Sequence, residues 1–142
     1  MATKADFTED EWKAITKGVT GVGMLVSISD RDFTDTFGEV GALARFLQEE
    51  HDKATSPLIK ELAEPHKSGF GLTSSPEKVE AETLEALRSG LAALSSKAPD
   101  DVEGYKQLVL GVAEHVANAK GGGTSEQEAQ AIEKVRAAIA SA

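Results

Sequence analysis

The 142-residue chain contains no cysteine, and this absence excludes thiol nucleophiles, disulfide bonds and thiolate metal sites. A domain of this length buries roughly 68–70% of its unfolded surface, so it needs neither a disulfide nor a metal for stability. Aromatic residues are also scarce, at 5% of the chain. The one tryptophan, Trp12, and the one tyrosine, Tyr105, lie on apolar stripes, where we expect them to pack in the core rather than bind a cofactor.

Long apolar runs are missing too. The longest near-continuous run, residues 22–28, is interrupted by Gly23 and Ser27, whereas a membrane-spanning helix needs about 20 apolar residues. The opening segment, MATKADFTED, lacks the apolar core of a secretion signal. Together with the lack of cysteine, these features predict a cytoplasmic protein with no membrane partner.

Basic residues are outnumbered by acidic ones, 15 to 24, which gives a formal net charge of -9. Residues 1–71 hold 8 basic and 13 acidic residues, a net charge of -5, and residues 72–142 hold 7 and 11, a net charge of -4. Surfaces that bind nucleic-acid phosphates normally carry clustered lysine and arginine. We therefore expect no nucleic-acid partner, and the dispersed acidity favours solubility.

The apolar residues of the sequence do recur at helical spacing nearly throughout the chain. No segment shows the alternation of apolar and polar residues that is typical of a strand. This helical spacing predicts an all-α fold, a compact antiparallel bundle of five to six helices in a single domain over residues 1–142. The predicted helices cover residues 8–29, 33–52, 56–64, 76–96, 99–119 and 125–140.

Local signals mark several of these helix ends. Thr8 and Glu11 have the spacing of a capping box, and Ser56-Pro57 and Ser75-Pro76 each place proline directly after a capping serine. The glycines at 121–123 predict a helix stop, although such a turn before a helix could also bind phosphate.

The stripes predict which side of each helix faces the core. In the first helix the inner residues step by three and four, as Trp12, Ile15, Val19, Val22 and Val26. The inner side of the fourth helix is predicted to carry Glu80, Leu84, Leu87, Leu91 and Leu94. Gly18, Gly21 and Gly23 lower the helix propensity of the first helix, so they indicate either a close neighbouring helix or a break.

Acidic residues between the first two helices are the candidate metal site. Asp30, Asp32, Asp35 and Glu39 could offer oxygen ligands to a hard divalent cation. The spacing is not that of an EF-hand, because Asp35 stands where that loop needs glycine and Gly41 where it needs glutamate. Carboxylates at the start of a helix also serve as ordinary capping residues.

The segment 65–75 is the one long predicted loop, and it is the candidate contact site for a ligand or partner. It contains His66, Lys67, Ser68 and Phe70, but it lacks the order of a P-loop and any nearby acid to orient a Ser–His pair. The three histidines have neither the HExxH nor the Glu-x-x-His spacing of metal sites. We predict no catalytic residue and no cofactor other than a divalent cation.

Several segments resemble known families. Residues 7–12, 69–73 and 98–102, with the Gly-Thr-Ser-Glu-x-Glu helix start, resemble a group of small bacterial all-helical proteins of uncharacterised activity. Residues 29–39 and 117–128 resemble the acidic helix joints of TerB-like domains, which are all-helical and named from tellurite resistance. The second joint departs from the TerB pattern, because Lys120 and glycines replace its Asp-Gly pair.

Three hypotheses follow. The first is a non-enzymatic interaction or stress-associated module that binds a protein partner or itself through a helical face or the 65–75 loop. The second, which the TerB resemblance implies, is a cation-responsive protein that uses the acidic joint. The third is a small ligand-binding or enzymatic bundle that uses the loop around His66.

Overall fold

The computed structural model describes residues 3–29, 36–63, 75–118 and 126–140, and in this part of the chain it contains helices but no strand. Two short 3₁₀ segments, Lys4–Asp6 and Pro99–Asp101, precede the first and fifth helices. The six α-helices are α1 (Glu9–Ser29), α2 (Thr36–Lys53), α3 (Pro57–Leu62), α4 (Pro76–Lys97), α5 (Val102–Asn118) and α6 (Glu126–Ala140). The all-α prediction is therefore confirmed, and in the described residues no helix is long and apolar enough to cross a membrane.

The predicted capping box at the start of α1 is confirmed. The Thr8 backbone N–H donates to Glu11 Oε1 at 2.9 Å, and the Glu11 N–H donates to Thr8 Oγ1 at 3.1 Å. Phe7 and Trp12, which flank this box, also pack together with their ring centroids 6.2 Å apart. Such a contact between the residue before the cap and the fourth helical residue is a hydrophobic staple, and it sets the direction in which the chain enters the helix.

Loss of the α1 cap gives a first testable effect. We expect Thr8→Ala to lower the free energy of unfolding by about 1 kcal/mol, because the N–H group of Glu11 loses its acceptor. Thr16→Ala is the matched control, since the Thr16 hydroxyl only donates to the Lys13 carbonyl within the helix. Urea denaturation followed by circular dichroism measures both variants. Equal stability of Thr8→Ala and the parent protein would contradict the role of the cap.

The serine–proline starts of α3 and α4 are confirmed in the same way. Ser56 Oγ accepts a hydrogen bond from the Ile59 N–H at 3.4 Å, and Ser75 Oγ accepts one from the Lys78 N–H at 3.2 Å. The Ser56 hydroxyl also donates to Asp101 Oδ1 at 2.6 Å, which ties the start of α3 to the segment before α5.

Two predicted helix bounds differ from those in the structure. α3 ends at Leu62, since Ala63 is already its C-cap, and α5 begins at Val102 instead of residue 99. The earlier residues form a 3₁₀ segment because the Asp101 N–H donates to the carbonyl of Ala98, three residues back. The predicted start of the second helix at residue 33 and the glycine stop at 121–123 lie outside the described residues.

α1 is the central helix of the bundle, and it contacts α2, α4, α5 and α6. A helix with neighbours on several sides must be apolar or small around most of its circumference. The predicted inner residues of α1 are all buried, with exposures of 9% or less: Trp12, Ile15, Val19, Val22 and Val26. Core packing of Tyr105, which is fully buried, is confirmed as well.

The inner face of α4 is shifted from the predicted one over its first two turns, although Leu84 still packs against the core. Val79 and Thr83 are buried there, while Glu80 and Leu84 are only partly buried. Glu80 sits at the edge because its carboxylate pairs with Lys134 of α6. Thr83 faces inward because a glycine of α1 leaves room for it, and the sequence of α4 alone does not reveal this space. From Leu87 onward the predicted face is correct.

Candidate functional site

Most of the residues that the sequence singles out as sites lie outside the described residues. This holds for Asp30, Asp32 and Asp35 of the candidate metal site and for the whole candidate loop with His66, Lys67, Ser68 and Phe70. The backbone of Glu39 lies in α2. Cation binding by the acidic joint and ligand binding by the loop therefore stay predictions. Among the described residues, the surface between α1 and α4 carries an open groove.

Glycines bring α1 and α4 into close antiparallel contact. A Cβ atom on Gly18 would lie 3.1 Å from Leu87 Cδ2, and one on Gly21 would lie 2.5 Å from Thr83 Oγ1. On the other helix, a Cβ atom on Gly90 would lie 3.1 Å from the Cα atom of Ile15. Of the two explanations for the α1 glycines, the close neighbouring helix is correct, since α1 continues unbroken through both.

Tyr105 of α5 locks this contact from the core side. Its hydroxyl donates to the Ile15 carbonyl at 2.8 Å, and a Cβ atom on Gly18 would lie only 2.1 Å from the hydroxyl oxygen. Complete burial raises the pKa of Tyr105, because the phenolate would have to be desolvated. Tyr105 is therefore neutral and donates a buried hydrogen bond, which fixes the position of α1 along α5.

The outer side of the same helix pair forms an open groove of about 400 Å³, which we call the α1–α4 groove. It exists because small side chains line its floor, so the valley between the two helices is not filled. Ala14 of α1 and Ala81, Ala86 and Ser89 of α4 supply these small side chains. The rims are charged: Asp10, Lys13 and Lys17 belong to α1, and Glu82 and Glu85 belong to α4.

The lysines of the groove lie on α1 and its glutamates on α4, and Asp10 is the one acidic lining residue on α1. Lys13 and Lys17 stand one helical turn apart on α1, and Glu82 and Glu85 stand one turn apart on α4. Lys17 Nζ crosses the groove to Glu82 Oε1 at 3.0 Å. Among the described residues, Lys13 forms no ion pair, and Glu85 accepts only the Ser89 hydroxyl, at 3.3 Å. One lysine and one glutamate of the rims therefore keep charges that could pair with another molecule.

Other polar groups in the described part of the chain do not assemble into a metal site. No three His, Asp or Glu side chains lie close enough there to hold a metal ion. His115 is exposed and stacks on Phe46 with ring centroids 4.2 Å apart. Glu128 of α6 is 1% exposed. The sequence does not indicate this burial, because Glu128 lies in the first helical turn, where acidic residues are common and usually exposed.

Comparison with known proteins found no matching family model, curated protein or solved structure. The signal for the α1–α4 groove is present in the sequence as small residues at helical spacing, but such residues occur equally in buried helix contacts. Only the packing of α1 against α4 shows which of them reach the surface.

Proposed function

We propose that this protein is a non-enzymatic helical interaction module that binds a second copy of itself through the α1–α4 groove. The observation that carries the proposal is the separation of charge across a groove with a small-residue floor. Small floor residues let a helix of another molecule come close, as in other tightly packed helix pairs. The rims then decide which helix is accepted.

The rims of the α1–α4 groove are complementary to each other, so the surface is complementary to itself. A two-fold axis that runs along the groove, in the plane between the two copies, places α1 of one copy over α4 of the other. The basic row with Lys13 then faces the acidic row with Glu85 of the second copy, and the same contact occurs twice. Neither Lys13 nor Glu85 forms an ion pair within the described residues, so both charges are available to the second copy.

The nine lining residues of the groove are fewer than the roughly 20–30 residues that each partner contributes to a standard stable interface, so we expect weak association. The dimer should be detectable by sedimentation equilibrium at protein concentrations of about 100 μM and should weaken as salt screens the rims. A sample that stays monomeric at about 1 mM in low salt would overturn the proposal.

Charge reversal tests the orientation of the two copies. Lys13→Glu and Glu85→Lys should each abolish self-association, because each creates two like-charged contacts across the axis. An equimolar mixture of the two variants should associate again, since all facing charges are then opposite. Native mass spectrometry distinguishes this heterodimer by mass if one variant is isotope-labelled.

Lys60→Glu is the matched control, because it makes the same charge change at an exposed position on α3, away from the groove. It should leave self-association unchanged. If Lys60→Glu weakens the dimer as much as Lys13→Glu, only net charge matters and the groove is not the interface. Failure of the variant mixture to associate would likewise contradict the two-fold arrangement.

A further inference from the structure

A second cavity, of about 480 Å³, lies at the start of α1 and is called here the N-terminal cavity. The aromatic side chains of its wall are Phe7 and Trp12, which are each only 9% exposed. The remaining lining residues are polar or charged: Lys4, Thr8, Glu9, Asp10, Lys13 and Thr16. This volume falls in the range of small-molecule sites, and the mixture of aromatic and carboxylate groups is one that suits cations.

Both aromatic rings already carry an ammonium group from the chain itself. Lys4 Nζ lies 5.9 Å from the centroid of the Trp12 ring, and Lys97 Nζ lies 5.8 Å from that of Phe7. Such distances are within the reach of a cation–π interaction, in which the negative face of the ring attracts the charge. The Phe7–Trp12 pair therefore already binds two ammonium groups through its ring faces.

The two lysines are held differently. Lys97 is fixed by an ion pair with Glu11, and this ammonium, followed by the Thr8 backbone N–H, holds the pKa of the Glu11 carboxyl below its usual range. Lys4 is exposed and forms no ion pair within the described residues. It can therefore leave the Trp12 ring by side-chain rotation alone, and this movement opens the ring to the cavity.

The carboxylates of the cavity provide a second point of attraction. Glu9 and Asp10 are exposed in the first turn of α1, and neither forms an ion pair with a described residue. A ligand with a single ammonium group would only replace Lys4 on the Trp12 ring, so it would gain little binding free energy. A ligand with a second ammonium group also reaches these carboxylates, and the net charge of -9 favours it at longer range.

We propose that the N-terminal cavity binds an organic cation with two or more ammonium groups, one of which takes the place of Lys4 on the Trp12 ring. In this arrangement Lys4 is an internal competitor that covers the ring when no ligand is bound. The remaining ammonium groups of the ligand pair with the carboxylates, Glu9 above all. Asp10 and Lys13 line both the N-terminal cavity and the α1–α4 groove, but Glu9 and Lys4 line only the cavity, so variants at these two positions separate the site from the proposed interface.

The chain offers a direct probe, because Trp12 is its only tryptophan. Spermidine should change the tryptophan emission saturably at protein concentrations of about 1 μM, where the weak dimer proposed above is dissociated. MgCl₂ and NaCl at matched ionic strength should not reproduce this change, because inorganic ions keep their hydration and do not stack on the ring. Isothermal titration calorimetry on the same samples gives an independent dissociation constant.

Two variants separate this proposal from general charge attraction. Lys4→Ala should bind spermidine about threefold more tightly, because the ammonium group that competes for the Trp12 ring is gone. The accompanying change of one unit in net charge should contribute little to this effect. Glu9→Gln should bind it several-fold more weakly. Lys78→Ala is the matched control, since it makes the same charge change at an exposed position in the first turn of α4 and should behave nearly as the parent.

Three results would overturn the proposal. The first is an emission change that MgCl₂ reproduces, which would indicate charge screening alone. The second is equal tightening in Lys4→Ala and Lys78→Ala, which would indicate an effect of net charge. The third is the absence of saturable spermidine binding by calorimetry. None of these results bears on self-association, which is measured at much higher protein concentration with the groove variants.

Discussion

Replacing Gly18 with alanine should lower the free energy of unfolding by about 2 kcal/mol, although alanine favours helix by about 1 kcal/mol over glycine. The new methyl group would lie 2.1 Å from the Tyr105 hydroxyl oxygen, in a region where α1, α4 and α5 meet. The hydroxyl belongs to a fully buried side chain that is tied to the Ile15 carbonyl, so it cannot simply swing away. Either that hydrogen bond breaks or the helices separate.

A double-mutant cycle identifies this cause. Tyr105→Phe alone should cost about 1 kcal/mol, because one buried hydrogen bond is lost. In the Tyr105→Phe background, Gly18→Ala should be nearly neutral, since the clashing oxygen atom is absent and the nearest remaining neighbour is Leu87 Cδ2 at 3.1 Å. We therefore expect a coupling free energy above about 1 kcal/mol, measured by urea denaturation.

Gly104→Ala is the control for this cycle. Gly104 also lies in a helix, but a Cβ atom there meets only the flexible end of Ile59, at 3.3 Å. The gain in helix propensity should then balance or exceed the cost of the contact. If Gly18→Ala and Gly104→Ala have the same free energy of unfolding, the close contact between α1 and Tyr105 does not limit the residue at position 18.

The second large effect concerns the attachment of α2. Phe46→Ala should lower the free energy of unfolding by about 3 kcal/mol, as for other buried phenylalanines. Phe46 is 6% exposed, and its ring occupies the space over Gly111 of α5, where a Cβ atom would lie 2.3 Å from Phe46 Cζ. His115 stacks on the same ring. Since α2 contacts the bundle mainly through α5, we expect α2 to lose protection first in hydrogen exchange.

Gly111→Ala gives the same test from the other helix. The added methyl group should expel the Phe46 ring and open α2 selectively, with a smaller loss of stability than Phe46→Ala, because helix propensity is gained. In the Phe46→Ala background it should add little, as the obstructing ring is gone. A uniform loss of protection across α1, α4 and α5 in either variant would show that α2 is not attached mainly at this point.

The candidate sites show where reasoning from the sequence stops. The capping box of Thr8 follows from spacing alone, because the residues concerned are neighbours along the chain. The staple of Phe7 on Trp12 could have been read from the same spacing. The ammonium groups over these rings could not, since Lys97 is 90 residues from Phe7 and nothing local indicates that they meet.

The inner face of α4 illustrates the same limit. Periodicity favours Leu84, which is large and apolar, over Thr83, yet Thr83 is the fully buried residue. The reason lies in α1, where Gly21 has no side chain and leaves space for the threonine. The amphipathic pattern of a helix indicates which of its side chains favour burial. Which of two neighbouring residues is actually buried depends on the shape of the opposing helix.

Local interactions along the chain were therefore enough to determine the six helices, their serine and threonine caps and the buried stripe of α1. Each of these depends on residues within about one or two turns of each other. The tertiary structure alone decided that α1 occupies the centre, that its glycines admit Thr83 and Tyr105, and that lysines and glutamates line opposite rims of the α1–α4 groove. These features join residues such as Lys17 and Glu82, 65 positions apart, and contacts at that separation depend on how whole helix surfaces fit together.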